Sequence, residues 1–344
     1  MKTCLGITIG DPAGVGPEIT LKAMMNSEVL KATVPIAIGD KRVLEKAKSI
    51  IGSSWELIEI DCIEDIDSIR GSCFYYLNIN SIGEQLWEYG KVDKICGAAA
   101  FSYITKAIDL AMSKKIDGVV TAPINKEAFN LAGYHFSGHT EIFAHQTKAE
   151  KFRMLLTGKK LKVIHVTTHS SMRKVCDLIT CDRVFDTIVL ADQTAKLLGK
   201  SNPVIGVAGF NPHSSENGLF GEEEEKEITP AIKKAQAVGI NVVGPISPDT
   251  VFVKALGGDY DIVVAMYHDQ GHIPLKLEGF KMDPLTKAFT SLSGVNSTVG
   301  LPIIRTSVDH GTAFDKAGTG EANEESMIEA LLMAAKMAEN QKIL

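Results

Sequence analysis

Short, almost wholly apolar runs recur along this chain, each followed by a longer stretch with apolar residues at helical spacing. VPIAIG (34–39), DGVVTAP (117–123), PVIGVAGF (203–210) and the VVAMY that ends at Tyr267 are the clearest. Runs without polar alternation belong to strands covered on both faces, and strands that alternate with helices build a mostly parallel sheet. Helical crossovers then bring the carboxyl ends of the strands to one edge, where open α/β sheets bind their ligands. The fold class is therefore α/β, and the ends of the apolar runs are where function is sought.

Taken in order, residues 2–9 (KTCLGITI) read as a strand, followed by GDPAGVGPE (10–18) and a helix to about Met25. Glycines and prolines between a strand and a helix make a tight turn and a helix start of the kind that binds anions. The spacing is not G-x-G-x-x-G, so no Rossmann fingerprint is present. A helix over Lys41–Ile51 and strands at 55–60 and 74–79 come next. Ile104, Ala107, Ile108, Ala111 and Met112 form a helical stripe, and Asn125 caps the segment after the 117–123 strand. In FSGHTEIFA (136–144), Thr140 or a neighbour is expected to cap a helix. Leu161–His169 reads as a strand, Arg183–Leu198 as a helix and 203–210 as a strand. NPHSSENG (211–218) then turns into a helix over Glu224–Val238. The acidic run Glu222–Glu225 reads as a solvated first turn, and Asp249 falls in a proline-rich turn before the strand that carries Val263.

With 344 residues the length points to about two domains. A net charge of -6 and the absence of basic-aromatic interleaving argue against a nucleic-acid partner, so an anionic substrate must be held by local cations. The six cysteines are scattered without a C-x-x-C pair, which fits a reducing cytosol. The first apolar run is short and stops at Asp11, unlike a signal peptide or a membrane span. The expected location is the cytoplasm, with no membrane contact.

Three of the expected parallel strands end in histidines: His169, His213 and His268. Three imidazoles at one sheet edge are a familiar divalent-metal arrangement, with Zn, Co, Mn and Mg all compatible. His165 reads as a mid-strand core histidine, and His135, His145 and His272 have no such placement. Arg305 lies in an apolar strand-like segment, where a buried guanidinium should meet an anion. Gly311, Gly318 and Gly320 make Ser307–Asn323 either a solvated turn or a loop whose amides and His310 face a nucleotide.

GDPAGVGPE, TAPINKEAF, GHTE, VTTH, NPHSSENG, GPISPDTVF, AMYHDQG and LPIIRTSVDHGTAFDKAG together resemble the 4-hydroxythreonine-4-phosphate dehydrogenase family and its D-threonate and D-erythronate 4-phosphate relatives. The likeness runs over nearly the whole chain. HGTAFDKAGTGEAN is also similar to the adenine-binding loop of isocitrate and isopropylmalate dehydrogenases. The resemblance implies two α/β/α domains with mostly parallel sheets and the active site in the cleft between them. Residues 1–135 with 285–344 would form the first domain, which holds the NAD loop. Residues 136–284 would form the second, with the metal histidines and the contacts of a homodimer.

By the same resemblance the metal ligands are His169, His213 and, across the dimer, His268 of the partner subunit. His139, Thr140, Lys276, Asn296 and Arg305 correspond to substrate-binding residues, and His310 and Asn323 to contacts with the adenine end of NAD. The implied reaction is NAD- and divalent-metal-dependent oxidation of a 4-phosphorylated 3-hydroxybutanoate at C3, then decarboxylation. Lys276, or Asp249 through water, would be the acid/base. NPHSSENGLFGEE, LKVIHVTTH and YHDQGHIPLKL look like the threonate/erythronate branch, whose product is dihydroxyacetone phosphate. The alternative is 4-hydroxy-L-threonine 4-phosphate going to 3-amino-2-oxopropyl phosphate in pyridoxal phosphate biosynthesis. The connection between Lys276 and Asn296, with KMDPLTKAFTSLS, is longer than the family's usual spacing. Two other classes stay open from the residues: a three-histidine metal hydrolase, and a phosphometabolite sensor without turnover.

Overall fold

The computed structural model describes residues 2–61, 63, 72–282, 284, 289–292 and 294–343. It divides into one unit of Met1–Glu150 with Leu301–Lys342 and a second of Lys151–Gly300 with Ile343–Leu344. The expected boundaries at 135 and 285 move to 150 and 300. The helix at His139–Thr147 packs on the long first-unit helix, with Gln146 Nε2 donating to Thr105 Oγ1 at 3.0 Å. The strand at Val295–Val299 pairs with a second-unit strand.

The first unit begins β1 (Thr3–Thr8), α1 (Gly16–Met24), α2 (Ser27–Ala32), β2 (Thr33–Gly39), α3 (Lys41–Ile50), β3 (Glu56–Glu59) and β4 (Cys73–Asn78). It continues with α4 (Lys94–Met112), β5 (Gly118–Thr121), α5 (Lys126–Leu131) and α6 (His139–Thr147). The second unit holds β6 (Arg153–Thr157), β7 (Lys162–His165), α7 (Met172–Leu178), α8 (Cys181–Leu197), β8 (Ile205–Ala208), α9 (Thr229–Ala237), β9 (Val242–Ile246) and α10 (Pro248–Gly257). After these come β10 (Ile262–Ala265), α11 (His268–Gly279), β11 (Phe280–Met282), β12 (Phe289–Leu292) and β13 (Val295–Val299). The chain returns to the first unit with β14 (Arg305–Val308) and α12 (Glu325–Gln341).

Within the first unit the strand order is β3-β4-β2-β1-β5-β14, and every pair is parallel. α12 packs on β14 and β5, and α4 on β1 and β2. Both sheet faces are thus covered, which is why Leu5, Ile7, Ile36, Ile38, Val119 and Val120 are fully buried and why the runs lack polar alternation. α4 is capped by Asp93, whose Oδ1 accepts from Ile95 N at 2.8 Å. By length and composition alone α4 could cross a membrane. Here Tyr103, Ile104 and Ala107 on it are buried in the unit's core, with Tyr103 Oη donating to Asp40 Oδ2 at 2.5 Å.

In the second unit the order is β13-β6-β7-β10-β8-β9. β7, β10, β8 and β9 are parallel, while β13 and β6 run antiparallel to their neighbours. Leu156, Val163, Val251, Val263 and Leu275 meet in its core. Each such side chain contributes ~1.5–3 kcal/mol by leaving water. Part of the long connection before Asn296 is the antiparallel pair β11–β12, with a register shift between Lys281 and Met282.

Candidate functional site

In the first unit, β1, β5 and β14 present their carboxyl ends to one edge. The GDPAGVGPE turn lies there, but it is no open anion site. Residues 11–21 are buried, Asp11 Oδ1 accepts from Ala13 N at 2.8 Å, and Val15 N at the start of α1 donates to Thr312 O at 3.0 Å. The helix start is filled by the chain's own carbonyl oxygens. Burial pushes the Asp11 carboxyl up to about 6, with the nearby Asp93 charge adding to the rise.

Arg305 opens β14 as the sequence suggested and is 3% exposed. Its Nη2 donates to Thr121 Oγ1 at 2.7 Å, and its guanidinium carbon lies 5.6 Å from the centre of the Phe143 ring. Burial lowers its pKa to about 9, against the favourable field of Glu141, so it remains a cation at neutral pH. His139 and Thr140 are the first residues of α6. The helix is capped by Gly138 with no side-chain cap bond, so Thr140 does not cap it; the residue there lies inside the first turn. His139 is half-buried as a residue, yet its Nε2 is sealed from solvent and has no hydrogen-bond partner among the described residues. Burial, then the Arg305 charge, holds its pKa well below the ordinary range, so the imidazole is neutral. A buried cation, a neutral imidazole and a helix start without a side-chain cap have the chemistry that suits a phosphate or carboxylate.

His310 follows β14. Its Nδ1 lies 2.9 Å from Gly311 O, which fixes the proton there, and Nε2 is buried without a partner among the described residues. Burial lowers its pKa. Asn323 is exposed, and its Oδ1 accepts from Glu325 N at 2.7 Å at the start of α12.

In the second unit the three strand-end histidines take different positions. β7 ends at His165, so that ring closes the strand instead of sitting in its middle. His169 lies in the turn beyond, with φ of 48°. The neighbouring ladder runs on only to Thr167, whose N donates to Met266 O at 3.2 Å. His213 follows β8 in a tight turn over Pro212–Glu216, with a left-handed φ of 53°, and is exposed. His268 is the first residue of α11. Its Nδ1 lies 2.6 Å from Asp269 Oδ1. The His169 and His268 ring centres are 5.7 Å apart and flank a pocket of about 230 Å³ with Thr167, Ser170, Tyr267 and Asp269. Among the described residues, no three His, Cys, Asp or Glu side chains are placed to share a metal ion.

Two histidines that the sequence reading set aside lie in this cluster. His272 stacks on His268 with ring centres 3.6 Å apart, and the His165 centre is 4.8 Å from that of His272. The signal was the His-x-x-x-His spacing, which puts both rings on one helix face once the segment is recognised as helical. Burial lowers His272 to about 4 and His165 to about 3, so both are neutral at pH 7. A Cβ on Gly271 would meet His165 Nε2 at 2.3 Å, so only glycine lets α11 pass over that ring. Gln270, also missed, ties two strand ends together. Its Oε1 accepts from Met266 N at 2.6 Å and its Nε2 donates to Gly209 O at 2.8 Å.

The acidic run is not simply solvated either. Glu224 is 3% exposed, and its carboxylate accepts from Phe210 N (2.7 Å), Asn211 N (2.7 Å) and Asn211 Nδ2 (2.8 Å). It therefore fixes the turn that presents His213. Asp249 lies in the first turn of α10, not in a proline-rich turn; it is exposed, and Ser247 Oγ donates to its Oδ1 at 2.7 Å. Lys276, in the last turn of α11, is exposed with Nζ 5.1 Å from the centre of the Phe280 ring. Asn296 sits on β13 opposite Leu156, and its sealed Oδ1 has no partner among the described residues.

Comparison with known proteins fits these features. Residues 31–334 match the family described as "Pyridoxal phosphate biosynthetic protein PdxA". The D-threonate 4-phosphate dehydrogenase of Cupriavidus necator is 45% identical, with 97% of each chain covered. A crystal structure of 4-hydroxythreonine-4-phosphate dehydrogenase from Klebsiella pneumoniae is 41% identical with a TM-score of 0.85, covering 98% of this chain and 100% of that one. A beta-decarboxylating dehydrogenase from Thermococcus kodakarensis shares the fold alone, at 16% identity and a TM-score of 0.50 over 96% of this chain and 82% of that one. With a mostly parallel α/β fold and a match that spans most of its length, the chain belongs to the PdxA family of dehydrogenases.

Proposed function

We propose that the chain oxidises and decarboxylates D-threonate or D-erythronate 4-phosphate to dihydroxyacetone phosphate and CO2, using NAD and one divalent metal ion. The observation that carries the reading is the grouping of the buried Arg305 with His139 at the start of α6. The His139 Nε2 there lacks a hydrogen-bond partner among the described residues, chemistry suited to an anionic group such as the substrate phosphate. The substrate branch is supported by the 45% identity to the Cupriavidus necator enzyme. A second reading, 4-hydroxy-L-threonine 4-phosphate going to 3-amino-2-oxopropyl phosphate, is favoured by the likeness to the Klebsiella pneumoniae structure.

His169, His213 and His268 would hold the metal, with His268 of the partner subunit completing the set. Zn, Co, Mn and Mg fit such a site. The His169 and His268 imidazoles that line one pocket suit this role. Bound metal supplies Lewis acidity toward the C3 oxygen, and NAD supplies the hydride acceptor. Arg305, His139 and Thr140 hold the phosphate, and Asn296 and Lys276 orient the hydroxy-acid end. Lys276, or Asp249 through water, takes the C3 hydroxyl proton as the C3 hydrogen leaves as hydride. After CO2 departs, the same group returns a proton to C2. His310 Nε2, with its ring proton committed to Gly311 O, is left as an acceptor for the adenine amino group, and Asn323 lies at the far end of the same loop.

A cytoplasmic homodimer is part of the proposal. Between α10 and α11 an apolar groove of about 630 Å³ is lined by the exposed Val253, Leu256, Ile273 and Leu277, side chains that a second copy would cover.

The test is NADH absorbance with NAD⁺, Mn²⁺ or Zn²⁺ and each phosphate in turn. Turnover of the threonate or erythronate compound supports the first reading, turnover of the amino compound supports the second, and no NADH with any of them overturns both. His213→Ala should lose bound metal after dialysis and lose turnover while keeping the wild-type melting temperature. A variant that keeps full activity would remove the ligand assignment.

A further inference from the structure

The GDPAGVGPE motif, closed to anions, has a different task in this fold. Glu18, in the first turn of α1, is 0% exposed. Its Oε1 accepts from Gly318 N at 2.6 Å and its Oε2 from Gly320 N at 2.8 Å, across some three hundred residues of sequence. One turn later Lys22 Nζ donates to Gly320 O at 2.6 Å and Ala322 O at 2.8 Å, with Glu324 Oε2 at 4.0 Å. A carboxylate thus holds two loop amides and an ammonium holds two loop carbonyls, from neighbouring positions on one helix face.

The loop is shaped for this grip. Gly318 and Gly320 have φ of 82° and 76°, a region that glycine enters without strain. A Cβ on Gly318 would strike the Tyr89 ring at 2.8 Å. At the other end Val15 N donates to Thr312 O, and a Cβ on Gly14 would meet Thr312 O at 3.1 Å. The segment from Gly14 to Lys22 therefore clasps the 312–322 loop at both ends. Lys316 N→Ala313 O (2.9 Å) and Thr319 N→Lys316 O (3.2 Å) close the turns between.

We propose that Glu18 and Lys22 are positioning residues for the dinucleotide. They fix the main chain between His310 and Asn323 so that the loop is ordered before the adenine end arrives. The inference rests on the reading that this loop takes NAD. Neither side chain is required to touch the cofactor. Their effect is to prepay the ordering of a glycine-rich loop that would otherwise be charged against binding.

Three variants test this: Glu18→Gln, Lys22→Met and the conservative Lys22→Arg. Calorimetry with NAD⁺ and with ADP-ribose reads the cofactor. Steady-state assays give kcat and both KM values, and hydrogen exchange of the 316–322 peptide reads the loop without ligand. Glu18→Gln places an amide donor against a loop N–H and should weaken NAD⁺ and ADP-ribose binding by ~10-fold or more. Its KM for the phosphorylated acid should stay within about twofold and its kcat within about threefold, because the chemistry is untouched. Lys22→Met, on a partly exposed side chain that spares the fold, should accelerate exchange in the loop and weaken NAD⁺ binding in the same direction, and Lys22→Arg should recover most of it. If wild type binds no NAD⁺, the nucleotide reading of the loop fails. If wild type binds NAD⁺ and folded Lys22→Met binds it equally well with unchanged loop exchange, the positioning role fails. A fall in kcat and melting temperature with a parallel rise in both KM values would also overturn it in favour of a purely structural role.

Discussion

Glu224→Ala isolates what holds the His213 turn. The substitution removes a carboxylate that accepts from the main-chain amides of Phe210 and Asn211 at 2.7 Å each. Asn211 Nδ2 loses one partner but keeps Glu223 Oε2 at 2.7 Å, so the cost falls on the two amides. A buried amide left without an acceptor costs ~1–3 kcal/mol, which sets a gross penalty of ~2–6 kcal/mol. Two effects offset part of it. The carboxylate no longer has to be desolvated. The turn itself, with left-handed φ at His213, Ser214, Ser215, Glu216 and Asn217, is free to relax. The net loss should be ~2–4 kcal/mol, or a urea midpoint lowered by ~1–2 M at a slope of ~2 kcal/mol per molar. Glu225→Ala, next door and exposed, should stay within ~0.5 kcal/mol. Urea unfolding followed by circular dichroism decides between them. If the two variants lose the same stability, the argument that Glu224 fixes the turn is refuted.

Arg305→Met keeps the bulk of the side chain but removes the buried cation, so KM for the phosphorylated acid should rise ~100-fold or more while KM for NAD⁺ stays within about twofold; equal changes in both would detach Arg305 from the phosphate. Stability should depend on pH through His165 and His272, whose pKa values fall from 6.5 to about 3 and about 4 on folding. The unfolded chain binds protons there that the folded chain refuses, so this stability is whole above pH 6.5. It is lost as pH falls toward 4, by up to ~1.4 kcal/mol per pH unit for each ring. His165→Gln should flatten the slope between pH 6 and 4.5 by about one proton, and an unchanged slope in urea titrations at successive pH values would show that His165 is not the source.

What could be read from the residues alone was what short-range pattern controls. Apolar runs without alternation became buried parallel strands because helices cover both faces of the sheet, and Arg305 stood out because its neighbours are apolar. Much of α11 was missed because HDQGHIPLK contains Gly271 and Pro274, both poor helix residues. The glycine is required by the His165 ring beneath it, and that contact cannot be seen in local sequence. The burial of Glu224 was hidden because its neighbours in the run are also glutamates, and only the fold decides which of them turns inward. Glu18 and its loop partners are separated by about the length of the chain, so no window of sequence connects them.

The strand-end histidines carry one further piece of physical support that owes nothing to resemblance. His169 and His213 have φ of 48° and 53°, where a side-chain-bearing residue costs ~1–2 kcal/mol and where glycine or asparagine would be the comfortable choice. The strain at His213 is held in place by the buried Glu224 carboxylate, which commits a desolvated charge to a turn whose exposed side chain adds nothing to the core. His268, by contrast, is unstrained at the start of a helix, with its Nδ1 directed to Asp269. A fold that accepts backbone strain at two exposed imidazoles, and supports one of them with a buried charge, is not using them for packing. Strain at exposed positions is retained where the side chain acts on something outside the fold, which accords with the proposal that these imidazoles hold a metal ion.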